Sequence, residues 1–485
     1  MSKSIRIRLL STIISGSLAA ICLMFIGSNA SRDGCSSTPP DPALIAQGMM
    51  RISVGNKSLF TEISPEKQEA LKLIEEKKYD EAIPKLEKFL QNNPKDPEAL
   101  IFLNNARSSN EKLPSYTIAV AVPIERNPGA AEEILRGVAL AQNEINNYID
   151  STAKPLSFNG VKLMVAIAND SSQQETTKNI ALAIGNQDIE GKKLLGVVGH
   201  FTTDSTKNAG EIYQCAKEKL VAISPTSTSI KLVDNNPYIF TTSLSDQLEA
   251  SALALHMTRL NKTKVAIFYN SNSRYSKSLK SQFQSAVESV GGEVIHDANE
   301  FDISYKQNNS EQRLYNAKNA EVLMFATTND DIPSLMQIVE ANKKKLMLLG
   351  GDSFDDPDIK NNLNVAAAEG MVLAVPWHQD MASATNFVKN SQKLWGLIDV
   401  NWRTAMAYDA TEAFIEAFRQ IKKEHPLREE VRSKLAEPDF SAKATAGTVQ
   451  FERSQDRKAV FKLVKICRDP KSLQYDFVPV EKCER

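Results

Sequence analysis

Two bursts of hydroxyl side chains stand in the middle of this 485-residue chain. Thr202, Thr203, Ser205 and Thr206 follow the apolar run "LLGVVGH" and precede a helical pattern. Ser224, Thr226, Ser227, Thr228 and Ser229 close a second run, "LVAISPTSTS". Backbone N–H groups at a helix start have no intrahelical partner and favour an anion, and hydroxyls beside them add donors. Two such strand ends side by side can hold a carboxylate by neutral hydrogen bonds, without Arg or Lys. A single Ser or Thr there would be ordinary capping or turn chemistry. The opposite charge is offered by Asp352, which ends the run "LMLLGGD". Its carboxylate can accept charge-assisted hydrogen bonds from an ammonium, and Gly350 and Gly351 let the backbone come close. Tyr275, in "YNSNSRYSKS" after another apolar run, offers a ring to cover an aliphatic group.

Other chemistries find less footing. Asp355, Asp356 and Asp358 lack the spacing of a calcium loop, so no metal is expected. The five histidines are scattered, and His200 before the first burst is the only one to suggest a Ser/His pair. No H-E-x-x-H, G-x-S-x-G, Walker loop or G-x-G-x-x-G is present. The expectation is a protein without cofactor that is not an enzyme. A net charge of -1 gives no electrostatic reason to expect nucleic acid. Of five cysteines, Cys467 and Cys483 would close a short loop in an oxidising compartment, and two free thiols are the alternative.

The elements that must position these residues follow from periodicity. From Tyr116 onward, apolar runs of strand length alternate with amphipathic segments of helix length. Continuous apolar strands with helices between them mean parallel sheets buried on both faces. There are too many for one sheet, so the fold class is α/β with two doubly wound lobes. Ligands bind such sheets at the carboxyl ends of the strands, where the hydroxyl bursts lie.

Before the lobes, residues 1–30 run basic, apolar, then small, the order of an export signal. Cleavage after Ala30, an uncleaved anchor and a lipid-bearing Cys35 are the three readings, and all place the body outside the cytoplasm. Residues 31–63 read as a linker. Residues 64–110 read as a small helical hairpin, with "KYDEA" and "NP" resembling one tetratricopeptide repeat. Asp80 would cap its second helix, with Pro84 in the first turn. Such a hairpin either docks a protein partner or packs on the main body.

Taken together, residues from 116 to about 465 resemble the type 1 periplasmic solute-binding proteins, most of all the leucine/isoleucine/valine-binding family of ABC transporters. The segments that carry the resemblance are "GVVGHFTTDST", "AGEIY" and "LVAISPTSTS", then "NWRTAMAYDATEAFIEAFRQI" and "AGTVQFERSQDRK". The resemblance implies two lobes joined by three crossovers and closing on a small ligand, an amino acid or related compound, for delivery to a membrane permease. It divides the chain into lobe 1 (115–243 and 377–440), lobe 2 (244–376 and 441–470) and a tail (471–485). By position, Thr203 matches the hydroxyl that binds the ligand carboxylate, and Thr226, Ser227 and Thr228 match the second carboxylate-binding segment. Asp352 matches the acidic group for the ligand ammonium, and Tyr275 a pocket tyrosine. Two departures leave the ligand's side chain open, including ligands that are polar or not amino acids. The loop "PIERNPGAAEEILRG" has no aromatic near Ala130, and "ATTNDD" replaces an aromatic-rich strand end. A membrane-anchored sensor using the same lobes is the alternative role.

Overall fold

The apolar runs form two sheets in the computed structural model. β1 (Ile52–Ser53), β2 (Ser115–Val122), β3 (Lys162–Asn169), β4 (Leu194–Val198), β5 (Ala222–Ser224) and β6 (Ile239–Thr241) make the first, in the order β1-β3-β2-β4-β5-β6. All neighbours pair parallel except β1, which runs antiparallel to β3. The second sheet takes β7 (Lys264–Tyr269), β8 (Glu293–Val294), β9 (Val322–Ala326), β10 (Met347–Gly350) and β11 (Val372–Val375). A small separate pair follows, β12 (Ala442–Lys443) and β13 (Thr448–Val449), and then β14 (Lys462–Arg468) and β15 (Tyr475–Pro479). The second order is β15-β14-β11-β10-β9-β7-β8, parallel except for the antiparallel β14 and β15.

The structure describes residues 35, 38–147, 160–233, 236–296, 301–305, 309–356, 359, 364–381, 384–396, 400–451, 461–470 and 472–483. The export-signal reading of residues 1–30 lies outside them. Pro40–Arg485 forms one compact unit.

Strand alternation sorts side chains to two cores. In β2, Ile118, Val120 and Val122 face a cluster with Val138 and Ala141 of the helix Pro128–Asn147. Ala119 and Ala121 face another with Ile180 and Ile184 of the helix Gln174–Asn186. In β7, Ala266 and Phe268 join the first cluster, while Val265 and Ile267 pack with Leu279 and Phe283. Burial on both faces explains why these strands read as unbroken apolar runs.

The chain passes from the first sheet to the second after β6 and returns after β11. The returning segment includes the helix Trp402–Ile421, which packs along the helix Pro128–Asn147. It leaves again for β14, which makes three crossings between two lobes. The two long helices touch closely at Gly137, where an added Cβ would sit 2.2 Å from the Thr404 carbonyl oxygen. Tyr408 ties them by donating to Glu144 at 2.6 Å.

The N-terminal region is built into the first lobe more than its sequence suggests. The stretch read as a linker holds the helix Pro42–Met49, capped by Asp41, and β1 on the edge of the first sheet. The expected hairpin is three helices, Pro65–Glu75, Tyr79–Asn92 and Pro97–Asn110. The second starts at Tyr79 without a side-chain cap, so Pro84 lies inside it and Asp80 in its first turn. The third helix is buried along most of its length. Its Asn105 donates to the carbonyls of Val54 and Val165, at 3.0 and 2.7 Å, and so links the extension to β3. Lys67 is buried between Asp96 and Glu98, at 2.6 and 2.7 Å. At the other end, the expected tail contains β15 and the turn Val480–Cys483, and Cys467 of β14 is bonded to Cys483.

Candidate ligand-binding cleft

Both sheets reverse their strand order at one point. From β2 the chain goes to β3 on one side and to β4 on the other; from β7 it goes to β8 and then β9. The carboxyl ends of strands diverge at such a reversal and leave a crevice. The loops after β2, β4, β7, β9 and β10 face one cavity of about 380 Å³.

The first lobe supplies donors. The Thr202 hydroxyl accepts from the Ser205 N–H at 3.1 Å and caps the helix Thr203–Tyr213. Thr203, the first residue of that helix, lines the cavity at 4% exposure, and its hydroxyl has no hydrogen-bond partner within the protein. Ser172, in the loop after β3, brings a second unpartnered hydroxyl to the wall.

The second burst behaves differently. The Ser224 hydroxyl donates to the His200 carbonyl at 2.8 Å, and that of Thr226 to the Phe201 carbonyl at 2.6 Å. The hydroxyls of Ser227 and Thr206 share a hydrogen bond of 2.8 Å. These hydroxyls stitch the end of β5 to the loop after β4. Thr226 still lines the cavity, whereas Ser227 and Thr228 do not. Beneath them His200 is fully buried, with one ring nitrogen on Asp170 and the other 2.9 Å from the Tyr213 hydroxyl. Its two nitrogens are engaged in a support for the loop.

The second lobe supplies an acceptor. Asp352 lines the cavity at 4% exposure. Its Oδ1 accepts from the Tyr275 hydroxyl at 2.9 Å, and its Oδ2 has no partner within the protein. Its backbone N–H donates to Glu249 Oε1 at 2.8 Å. Gly351 makes this approach feasible, because a Cβ there would meet the Tyr275 hydroxyl at 2.4 Å. Burial raises the Asp352 carboxyl to about 6, against the lowering pull of the Tyr275 hydrogen bond and Arg403. Burial and then the Asp352 charge push Glu249 well above the usual carboxylate range.

Thus Thr203, Thr226, Tyr275 and Asp352 share one cavity. Sequence reasoning expected no cation there, but Arg403 lines it at 1% exposure, beside Trp402. Both open the long helix after β11, where Asn401 accepts from the Arg403 and Thr404 N–H groups at 3.0 and 3.3 Å. Arg403 Nη1 donates to the Asp355 carbonyl and lies 3.3 Å from Glu133 Oε2. Burial raises Glu133 to about 7 against the pull of Arg403. The segment "ATTNDD" gives Thr328, Asn329 and Asp330 to the wall, and the cavity's aromatic rings come from Phe201, Tyr275 and Trp402. Among the described residues, Arg126 pairs with Asp330 at 2.6 Å and Arg274 with Asp204 across the lobes at the rim.

A sequence model described as periplasmic binding protein matches residues 130–463. The chain belongs to the periplasmic binding protein family. Members of this family bind solutes and are not enzymes. Solved structures with the same fold include an ABC transporter substrate-binding protein from Desulfitobacterium hafniense in complex with Leu. It is 21% identical, spans 75% of this chain and 100% of that one, and has a TM-score of 0.59. A leucine binding protein from Thermotoga maritima is 17% identical over 76% of this chain and 99% of its own, with a TM-score of 0.61. A solute binding protein from Rhodopseudomonas palustris in complex with p-hydroxybenzoic acid is 14% identical, covering 75% and 96%, at a TM-score of 0.62. An amino acid binding protein from Pseudomonas aeruginosa is 30% identical over 127 residues, 26% of this chain and 30% of that relative's length. Among the described residues of this binding protein, no helix is long and apolar enough to cross a membrane.

Proposed function

We propose that this protein is an extracytoplasmic receptor that binds an amino acid between its lobes and delivers it to an ABC permease. The reading rests on one observation: Thr203, whose buried hydroxyl has no partner within the protein, and Asp352, whose buried Oδ2 has none, line the same cavity from opposite lobes. Thr203 opens a helix, so its hydroxyl and the free N–H groups of that helix suit a carboxylate. Asp352 suits an ammonium. An α-amino acid carries both groups on one carbon and would bridge the lobes. The amino acid named for the Pseudomonas aeruginosa relative, and the Leu of the Desulfitobacterium hafniense complex, support the same class. A thermal-shift screen of the purified protein against amino acids, aromatic acids, short peptides and amides tests it. An amino acid should raise the melting temperature in proportion to its excess over Kd. A rise with aromatic acids and none with amino acids would refute the reading.

A further inference from the structure

The amino-acid reading leaves open what lies beyond the ligand's two charged groups, and two further residues lining the cavity bear on it. Arg403 and Trp402 are adjacent, buried and part of the cavity lining. Arg403 Nη1 is engaged by Asp355 and Glu133, but Nε and Nη2 have no hydrogen-bond partner within the protein. Asp356 Oδ2 lies 3.9 Å from Nη2, within ion-pair range and beyond hydrogen-bond reach. The indole Nε1 of Trp402 is likewise buried without a partner. The Arg403 guanidinium sits 4.7 Å from the centre of the Trp402 ring, so these donors form one group. Buried donors left unpaired are costly, and native proteins rarely keep several together without an acceptor.

We propose that Arg403 and Trp402 form a subsite for an uncharged carbonyl oxygen, so that the ligand is an amino acid bearing a side-chain carboxamide. This rests on the amino-acid reading above and narrows it. An aliphatic side chain would bury the donors of Arg403 and Trp402 without acceptors, and a site built to hydrogen-bond rejects the analogue that lacks the group. A carboxylate would satisfy the donors but add a further negative charge. The guanidinium already faces Glu133 and Asp356, and Asp330 also lines the cavity. A carboxamide oxygen accepts without that repulsion.

The test is titration calorimetry with glutamine, asparagine, glutamate, aspartate, leucine and norleucine. The proteins are the full chain, Trp402→Phe and Arg403→Lys. One carboxamide should bind at least about 100-fold more tightly than leucine, norleucine and its own acid. Trp402→Phe keeps a ring while removing the indole N–H, and should reduce that preference about tenfold. Arg403→Lys keeps the charge without the planar fork and should also erode the preference. Leucine or norleucine binding as tightly as the tighter-binding amide would overturn the subsite alone. So would an acid binding more tightly than its amide, or a preference unchanged in both variants. If no α-amino acid binds at all, the amino-acid reading itself falls, and this subsite with it.

Discussion

Ligand affinity should fall in mild acid, because Asp352 must be ionised to receive an ammonium. Its carboxyl is raised by burial to about 6, so the proton and the ligand compete near that pH. If only the ionised form binds, apparent Kd scales with the inverse of the ionised fraction. With the carboxyl at about 6, Kd should rise about 1.1-fold at pH 7, about 2-fold at pH 6 and about 11-fold at pH 5. Other groups near Asp352 titrate too. Burial sets Glu133 and Asp246 each to about 7, and burial and then the Asp352 charge push Glu249 well above the usual carboxylate range. Asp352→Asn isolates the contribution of Asp352: it should bind weakly and lose the steep fall below pH 6. The same shift governs stability without ligand. A carboxyl raised from 3.8 to about 6 on folding makes the folded state bind more protons than the unfolded one, so stability is lost as pH rises through that window. Ligand-free Asp352→Asn should therefore melt above the wild type at pH 7.5, and the gap should close below pH 4. Calorimetry from pH 5 to 8, with circular dichroism to show the fold is intact, reads both. An affinity flat from pH 8 to 5, or an equal fall in Asp352→Asn, would refute the reasoning.

Two further predictions concern the frame. Glu98→Gln removes one of the two carboxylates holding the buried Lys67 and should cost about 1–3 kcal/mol in urea unfolding, since Asp96 remains; a cost near zero would mean the N-terminal helices contribute little to the lobe. Replacing Cys467 and Cys483 together by Ser opens a link across a sequence separation of 16 and should lower stability by about 3 kcal/mol, read as a drop in melting temperature under oxidising conditions.

The lobes are legible in the sequence because their strands are buried on both faces. "IAVAV" and "LMVAIA" can be little else once helix-length segments separate them. The extension is less so. The helix Pro42–Met49 has only 8 residues and β1 only 2, too short for a period to emerge, and their stability comes from contacts with the first lobe. Among the residues lining the cavity, Thr203 and Asp352 were readable because each follows a buried strand and is of the right charge or hydrogen-bonding type. Ser227 and Thr228 were indistinguishable from Thr226 by type, and only the folded backbone shows that Thr226 lines the cavity while the other two do not. Arg403 was missed because it lies about 200 residues from Thr203. Its signal was an Asn cap followed by Trp-Arg, and nothing local distinguishes that from a helix start on the surface.

In the proposed binding mode, Asp352 takes the ligand's ammonium while Thr203 takes its carboxylate. The most direct measurement compares the tightest-binding amino acid with the same acid lacking its ammonium, against wild type and Asp352→Asn. Wild type should lose about 30-fold or more in affinity when the ammonium is absent, and the variant should scarcely distinguish the two. Equal binding of both ligands by the wild type would contradict it, as would an undiminished preference in the variant.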